Sequence, residues 1–247
     1  MLFISLILCL TLVLPAYAYT SGSWSPSADA TYSLEYWELE NGTLEITGLT
    51  GTVTDTLTIP STINDKTVTS IKSSAFSYSS LDVPVTFPDT LTKIGDGAFR
   101  SSGITGTLTL PSGLVTLGNG AFERCSGLTG DLVIPQRITS IGSYTFDKCG
   151  FNGTLTLPDN LVSIAEYAFR NCSFSGTLTL PSTLTTIGDH AFYNNKFSGA
   201  LTIPDGITTI EYYTFYGCTF DGALTLPNSL TAIGDYAFGD CLFTGIL

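Results

Sequence analysis

The chain has 247 residues, with 9 Lys plus Arg against 21 Asp plus Glu and a formal net charge of −12. A surface so acidic and so poor in cations lacks the dense Lys/Arg contacts that nucleic acid and anionic membranes require. Charged residues make up only 12% of the chain, well below the usual ~25%, so Thr, Ser, Gly and Asn must take their place at the surface.

Residues 1–18 read as a secretory signal peptide. Leu2 to Leu14 is almost unbroken apolar sequence, and Pro15-Ala16-Tyr17-Ala18 supplies a helix breaker and an Ala-x-Ala pattern. Cleavage is predicted after Ala18, and the mature chain is expected to be exported, secreted or at the cell surface. The apolar run falls short of the ~20 residues needed to span a bilayer. Cys9 lies inside it without a lipobox-like context and is not read as a lipid anchor.

Residues 19–55 are predicted to form an N-terminal cap. Trp37 to Ile46 alternates on both sides of Asn41-Gly42, the preferred dipeptide of a two-residue hairpin turn. A β-hairpin here would cover the first coil of a solenoid formed by the rest of the chain, because an open solenoid end exposes core and unpaired backbone.

Residues 56–247 repeat one pattern. Phe76, Phe99, Phe122, Phe146, Phe169, Phe192, Phe215 and Phe238 fall 23 residues apart, with a single step of 24. Each lies five residues after an aliphatic, as Phe169 follows Ile164. A fixed period of this size marks a solenoid, whose units bury their apolar faces only against their neighbours. Within one coil, Thr177-Leu178-Thr179-Leu180 alternates as a half-buried strand and Pro181 ends it. Leu184 and Ile187 then point inward, Gly188-Asp189 turns the chain, and Ala191-Phe192 supplies a small and a large core residue. Each strand is expected to pair with the next coil at ~4.8 Å, so that about eight coils make a rod or arc of roughly 40 Å. The expected fold is therefore a β-rich solenoid of about eight 23-residue coils with an N-terminal β-hairpin cap.

Local departures are few. Asn64-Asp65-Lys66 centres five extra residues, read as a protruding turn, and one extra residue near Ser126-Gly127 accounts for the step of 24. Pro84 stands where other coils have Thr107 or Thr177, which predicts an imperfect strand. After Cys241 another strand begins and stops at Leu247, so the last coil is incomplete. Truncation of a longer protein is the favoured explanation over an unprotected natural end.

The string Leu184-Thr-Thr-Ile187-Gly-Asp-His-Ala191-Phe192, followed by Leu201-Thr-Ile203-Pro204, resembles the BspA-like (Treponema-type) leucine-rich repeat. The resemblance extends over about residues 41–247. It implies a leucine-rich repeat solenoid in a secreted or cell-surface protein of a bacterium or parasitic protist, several such proteins being adhesins. The family has no catalytic motif to carry over.

Cys125, Cys149, Cys172, Cys218 and Cys241 all lie three residues after the repeat Phe, where other coils hold Ser79, Ser102 and Asn195. Side chains stacked in one column cannot converge on a metal, so no metal site is predicted. Cβ atoms near 4.8 Å lie beyond the ~3.5–4.5 Å that a disulfide prefers, and buried free thiols are expected. Asn41, Asn152 and Asn171 match the N-glycosylation acceptor pattern, which chance can also produce in Thr/Ser/Gly-rich sequence. The only histidine, His190, falls in a variable turn and reads as a solvated turn residue. No phosphate loop, nucleophile elbow or private carboxylate pair appears, so neither a catalytic residue nor a cofactor is expected.

The candidate contact surface is the outward strand face centred on Thr109, Val133, Thr156, Thr179, Thr202 and Thr225. It suits an extracellular or host-derived protein ligand. Tyr144, Tyr167, Tyr193, Tyr212, Tyr213, Tyr216 and Tyr236 form a second candidate, since aromatics are favoured in interfaces. The alternatives are a non-binding coat or stalk and, remotely, an ice-binding Thr array, which Asp131, Val133, Ala200 and Ala223 would interrupt. Thr is in any case a favoured exposed strand residue.

Overall fold

The computed structural model describes residues 19–244. The predicted signal peptide with Cys9, and residues 245–247 of the final coil, lie outside the described residues. The repeat Phe side chains form one internal stack. Neighbouring rings from Phe76 to Phe238 lie 4.9–5.7 Å apart and within 16° of parallel. From Phe76 to Phe215 they are at most 1% exposed. Beside them runs an aliphatic ladder in which parallel bridges join Ile71 to Ile94, Ile141 to Ile164 and Ile164 to Ile187. The chain is a β-solenoid of about eight turns, and no α-helix occurs among the described residues.

The expectation of one Phe per coil is too simple. A second stack of Phe151, Phe174, Phe197, Phe220 and Phe243 runs alongside the first at 5.2–6.2 Å spacing. Each of its rings meets the first stack edge-on, as Phe169 meets Phe174 at 6.2 Å and 75°. Edge-to-face contacts set the positive ring edge against the negative face and add to burial. In the earlier coils Leu81, Ile104 and Leu128 fill this phase and are buried.

The backbone around Phe carries the most continuous pairing between coils. Tyr167 N–H, Phe169 N–H and Asn171 N–H donate to the carbonyls of Asp189, Ala191 and Tyr193 at 2.8–2.9 Å. The amide between them, Arg170 N–H, donates back within its own coil to Tyr167. Left-handed residues bracket the segment two positions before and after each Phe, such as Tyr167 at φ 58° and Asn171 at φ 53°. That conformation costs a non-glycine residue ~1–2 kcal/mol, and the inter-coil bonds and side-chain stacking offset it.

The strand face is less regular than expected. Leu57–Thr58 pairs with Val85–Thr86, Leu132–Val133 with Leu155–Thr156, and Leu201–Thr202 with Leu224–Thr225. The four-residue strand read at Thr177–Leu180 is not formed. No backbone hydrogen bond joins Leu108–Leu110 or Leu178–Leu180 to a neighbouring coil. Pro84 does not spoil its coil on one side, because its carbonyl accepts from Leu57 N–H at 2.9 Å.

The cap is a three-stranded antiparallel meander, one strand more than the hairpin: β1 (Thr20–Trp24), β2 (Tyr32–Glu38) and β3 (Leu44–Gly51). Its turn spans three residues rather than two, with Leu39 and Thr43 paired and Gly42 left-handed at φ 78°. The extra residues of the first coil form a small hairpin in which β4 (Thr62–Ile63) pairs with β5 (Lys66–Ile71). Asn64 and Asp65 both have positive φ there, as a two-residue primed turn requires. β3 also pairs in parallel with β5, joining cap and solenoid into one sheet.

Phe169→Ala should destabilise the chain by ~3–5 kcal/mol, because the cavity would lie between two rings that cannot close over it. Denaturant unfolding of mutant and wild type checks this.

Candidate functional site

All six residues of the predicted strand face are exposed, and they lie on one side of the solenoid. The face is not flat. An open groove of about 540 Å3 runs between Leu108–Leu110 and Val133–Pro135 and is lined by Thr109, Val133 and Thr156 among others. A second, of about 450 Å3, runs between Leu178–Leu180 and Thr202–Pro204 and includes Thr179. Thr225 lies outside both.

A shift of register accompanies these grooves. Before the first, Thr105 bridges Gly127, 22 residues on, while Leu108 and Leu132 hold the same coil phase 24 residues apart. Before the second, Ser175 bridges Lys196, 21 residues on, while Leu178 and Leu201 are 23 apart. In each case two extra residues accumulate between bridge and strand, and the strand stands off its neighbour. The two grooves therefore recur after 69 residues, as Leu132 recurs at Leu201. Smaller marks share this three-coil period. Buried Thr145 and Thr214 replace the usual Ala before Phe, and Ile-Pro closes the strand at Ile59, Ile134 and Ile203.

The tyrosine face is ordered into two surface stacks. Tyr144, Tyr167, His190, Tyr213 and Tyr236 lie ring on ring at 4.8–5.1 Å. Tyr193 and Tyr216 form a shorter stack beside them at 5.3 Å, and Tyr212 is half exposed outside both. Stacked rings cover each other's faces and offer a partner mainly edges and hydroxyls. His190 is thus not the solvated turn residue expected from sequence: its ring is sandwiched between Tyr167 and Tyr213, and its buried Nδ1 has no hydrogen-bond partner. In the middle coils the position after Phe holds ion pairs. Arg170 binds Asp147 through two bonds of 2.7 and 3.0 Å and lies over the Tyr167 ring, while Arg100 pairs with Glu123 at 3.1 Å.

The family model of the BspA type leucine-rich repeat region matches six copies over residues 53–154 and 139–246. The chain belongs to this family. Its fold is similar to that of a leucine-rich cell surface protein from Faecalibacterium prausnitzii A2-165, with TM-score 0.52 and 22% identity over 86% of this chain and 72% of the other. It is also similar to the leucine-rich repeat protein of T. pallidum, with TM-score 0.53 and 22% identity over 81% and 83%. No curated protein matches the chain significantly.

In this BspA-type chain the cysteine column has a structural task. The thiols of Cys125, Cys149, Cys172, Cys218 and Cys241 point at the carbonyl of the Phe one coil back, Phe99, Phe122, Phe146, Phe192 and Phe215, at 3.0–3.2 Å. Asn195 donates to Phe169 and Phe192 in the same way, and Ser79 to its own Phe76. Any short donor can occupy the position, which explains its Cys/Ser/Asn usage. Of the candidate acceptor asparagines, Asn41 and Asn152 are exposed and Asn171 is half-buried. The side-chain oxygens of Asn41, Asn152 and Asn171 accept from Thr43, Gly130 and Asn194 respectively.

Burial pushes the thiol pKa of Cys125 and Cys241 up from 9.0 to about 11 and that of Cys218 to about 12. The folded state therefore disfavours thiolate. Its stability is intact below pH 9 and should fall as pH rises toward 11–12; Cys218→Ser should lessen the fall, measured as the unfolding midpoint against pH. Burial likewise lowers the pKa of His190 below 6.5. Protonation then favours the unfolded chain, so stability should be lost as pH drops below 6.5. His190→Tyr, which continues the stack, should reduce the difference between melting temperatures at pH 8 and pH 5.

Proposed function

We propose that the chain is an exported recognition module that binds a protein ligand on its strand face, as an adhesin does. The carrying observation is the pair of grooves between parted coils, each lined by exposed threonines and the first also by the exposed Val133. Val133 offers an apolar anchor and the threonines offer hydrogen-bonding groups, a mixture that recognition surfaces use, and recurrence after three coils gives one ligand two points of attachment. Export and surface location rest on the Ala-x-Ala signal and on the surface-protein description of the Faecalibacterium neighbour. The competing stalk reading asks for no groove, and an ice-binding lattice asks for a flat one.

Purified mature chain should bind saturably to at least one of a panel of extracellular-matrix and epithelial surface proteins. Val133→Asp in the first groove and Thr179→Arg in the second should each weaken that binding at least tenfold, about 1.4 kcal/mol. Both sites are exposed, so the fold should be little affected. Absence of saturable binding across the panel favours the coat or stalk.

A further inference from the structure

The surface stack of Tyr144, Tyr167, His190, Tyr213 and Tyr236 ends at Tyr144. The next two positions of the same column are Gly120 and Gly97, both left-handed at φ 58°, the conformation Tyr144 adopts at φ 60°. The column therefore continues in backbone but not in side chains. A first side-chain carbon at Gly97 would meet nothing closer than 3.7 Å, and at Gly120 only the Glu123 carboxylate, at 3.2 Å, comes nearer. The result is an open depression of about 330 Å3 walled by Tyr144, at the lower end of the ~300–1,000 Å3 of small-ligand sites. Among the described residues, the Tyr144 face turned away from Tyr167 has no stacked ring against it.

Polar groups surround that ring face. Arg100 and Arg124 both pair with Glu123, at 3.1 and 3.4 Å, and with Asp96 alongside, two cations are balanced by two carboxylates. Asp96 Oδ1 accepts from Asn119 N–H at 2.7 Å and Asn119 Oδ1 from Ser143 N–H at 2.9 Å. Their other side-chain atoms, Asp96 Oδ2 and Asn119 Nδ2, take no protein partner among the described residues. No aliphatic side chain lines the depression. An aromatic guest would satisfy the ring face but leave these polar groups unpaired, at a cost. A sugar ring satisfies both, setting its C–H face on the negative π-face and its perimeter hydroxyls on carboxylate, amide and guanidinium. The paired charges and the acidic chain favour a neutral sugar over an anionic one.

We propose that this depression is a carbohydrate subsite, in which a neutral hexopyranose stacks on Tyr144 beside Gly120 and hydrogen-bonds to Asp96 and Asn119. It is separate from the strand face and does not depend on the reading of that face.

Saturation-transfer NMR on the mature chain, with methyl glycosides of glucose, galactose, mannose, N-acetylglucosamine and N-acetylgalactosamine, tests it. At least one should bind, with transfer concentrated on the ring C–H protons. Gly120→Tyr, which fills the depression in a conformation that Tyr already adopts one coil later, should weaken binding at least tenfold, and so should Tyr144→Ala. Thr179→Arg on the strand face should leave it unchanged, so the two sites fail separately. The proposal is overturned if no glycoside binds at millimolar concentration, or if binding survives Gly120→Tyr. It is equally overturned if only N-acetyltyrosinamide, offered as an aromatic probe, binds.

Discussion

The axial hydrogen bonds around each Phe govern the rest of the molecule. Amides at Phe and at two residues to either side donate to the following coil, and this fixes the step between coils that the stacked rings follow. Every other column inherits that step: the two Phe stacks, the thiols reaching back to a Phe carbonyl, and the surface aromatics. The cost is paid in backbone conformation, with two left-handed residues in nearly every coil, several of them tyrosine or histidine. Tyr167, His190 and Tyr213 tolerate the strain with their rings held on both sides.

The strand face responds to the same constraint differently. With the Phe segment locked, an extra residue elsewhere in a coil cannot be absorbed by sliding the coil along the axis. It is absorbed on the opposite side, where strands part and grooves open. Rigidity of the Phe side and irregularity of the strand side are thus two expressions of one registration, and the candidate recognition surface lies where registration is weakest.

The solenoid, its coil number and the Phe stack were legible in the sequence because a 23-residue period survives any local variation. The second Phe stack was harder to see, since Leu81, Ile104 and Leu128 hold its phase in the early coils and dilute the pattern. The exposure of the six strand-face residues follows from simple alternation. The grooves between them were not legible, because they depend on the difference between two registers and not on any residue type. His190 was misjudged for a related reason: a variable turn position looks solvated in a single coil, and only the neighbours one coil away on each side reveal the sandwich. The depression at Gly120 was hidden similarly, as a glycine in a turn says nothing about which side chains its counterparts carry.

The three-coil recurrence has a consequence for how such a chain can change in length. Removing or adding one coil would keep the 23-residue core intact, yet it would bring a groove-bearing coil against the wrong neighbour and scramble the outer face. Removing or adding three would preserve both. The inheritable unit of this surface is therefore about 69 residues long, three times the unit of its core, and length variants that keep the groove pattern should differ by whole blocks of that size.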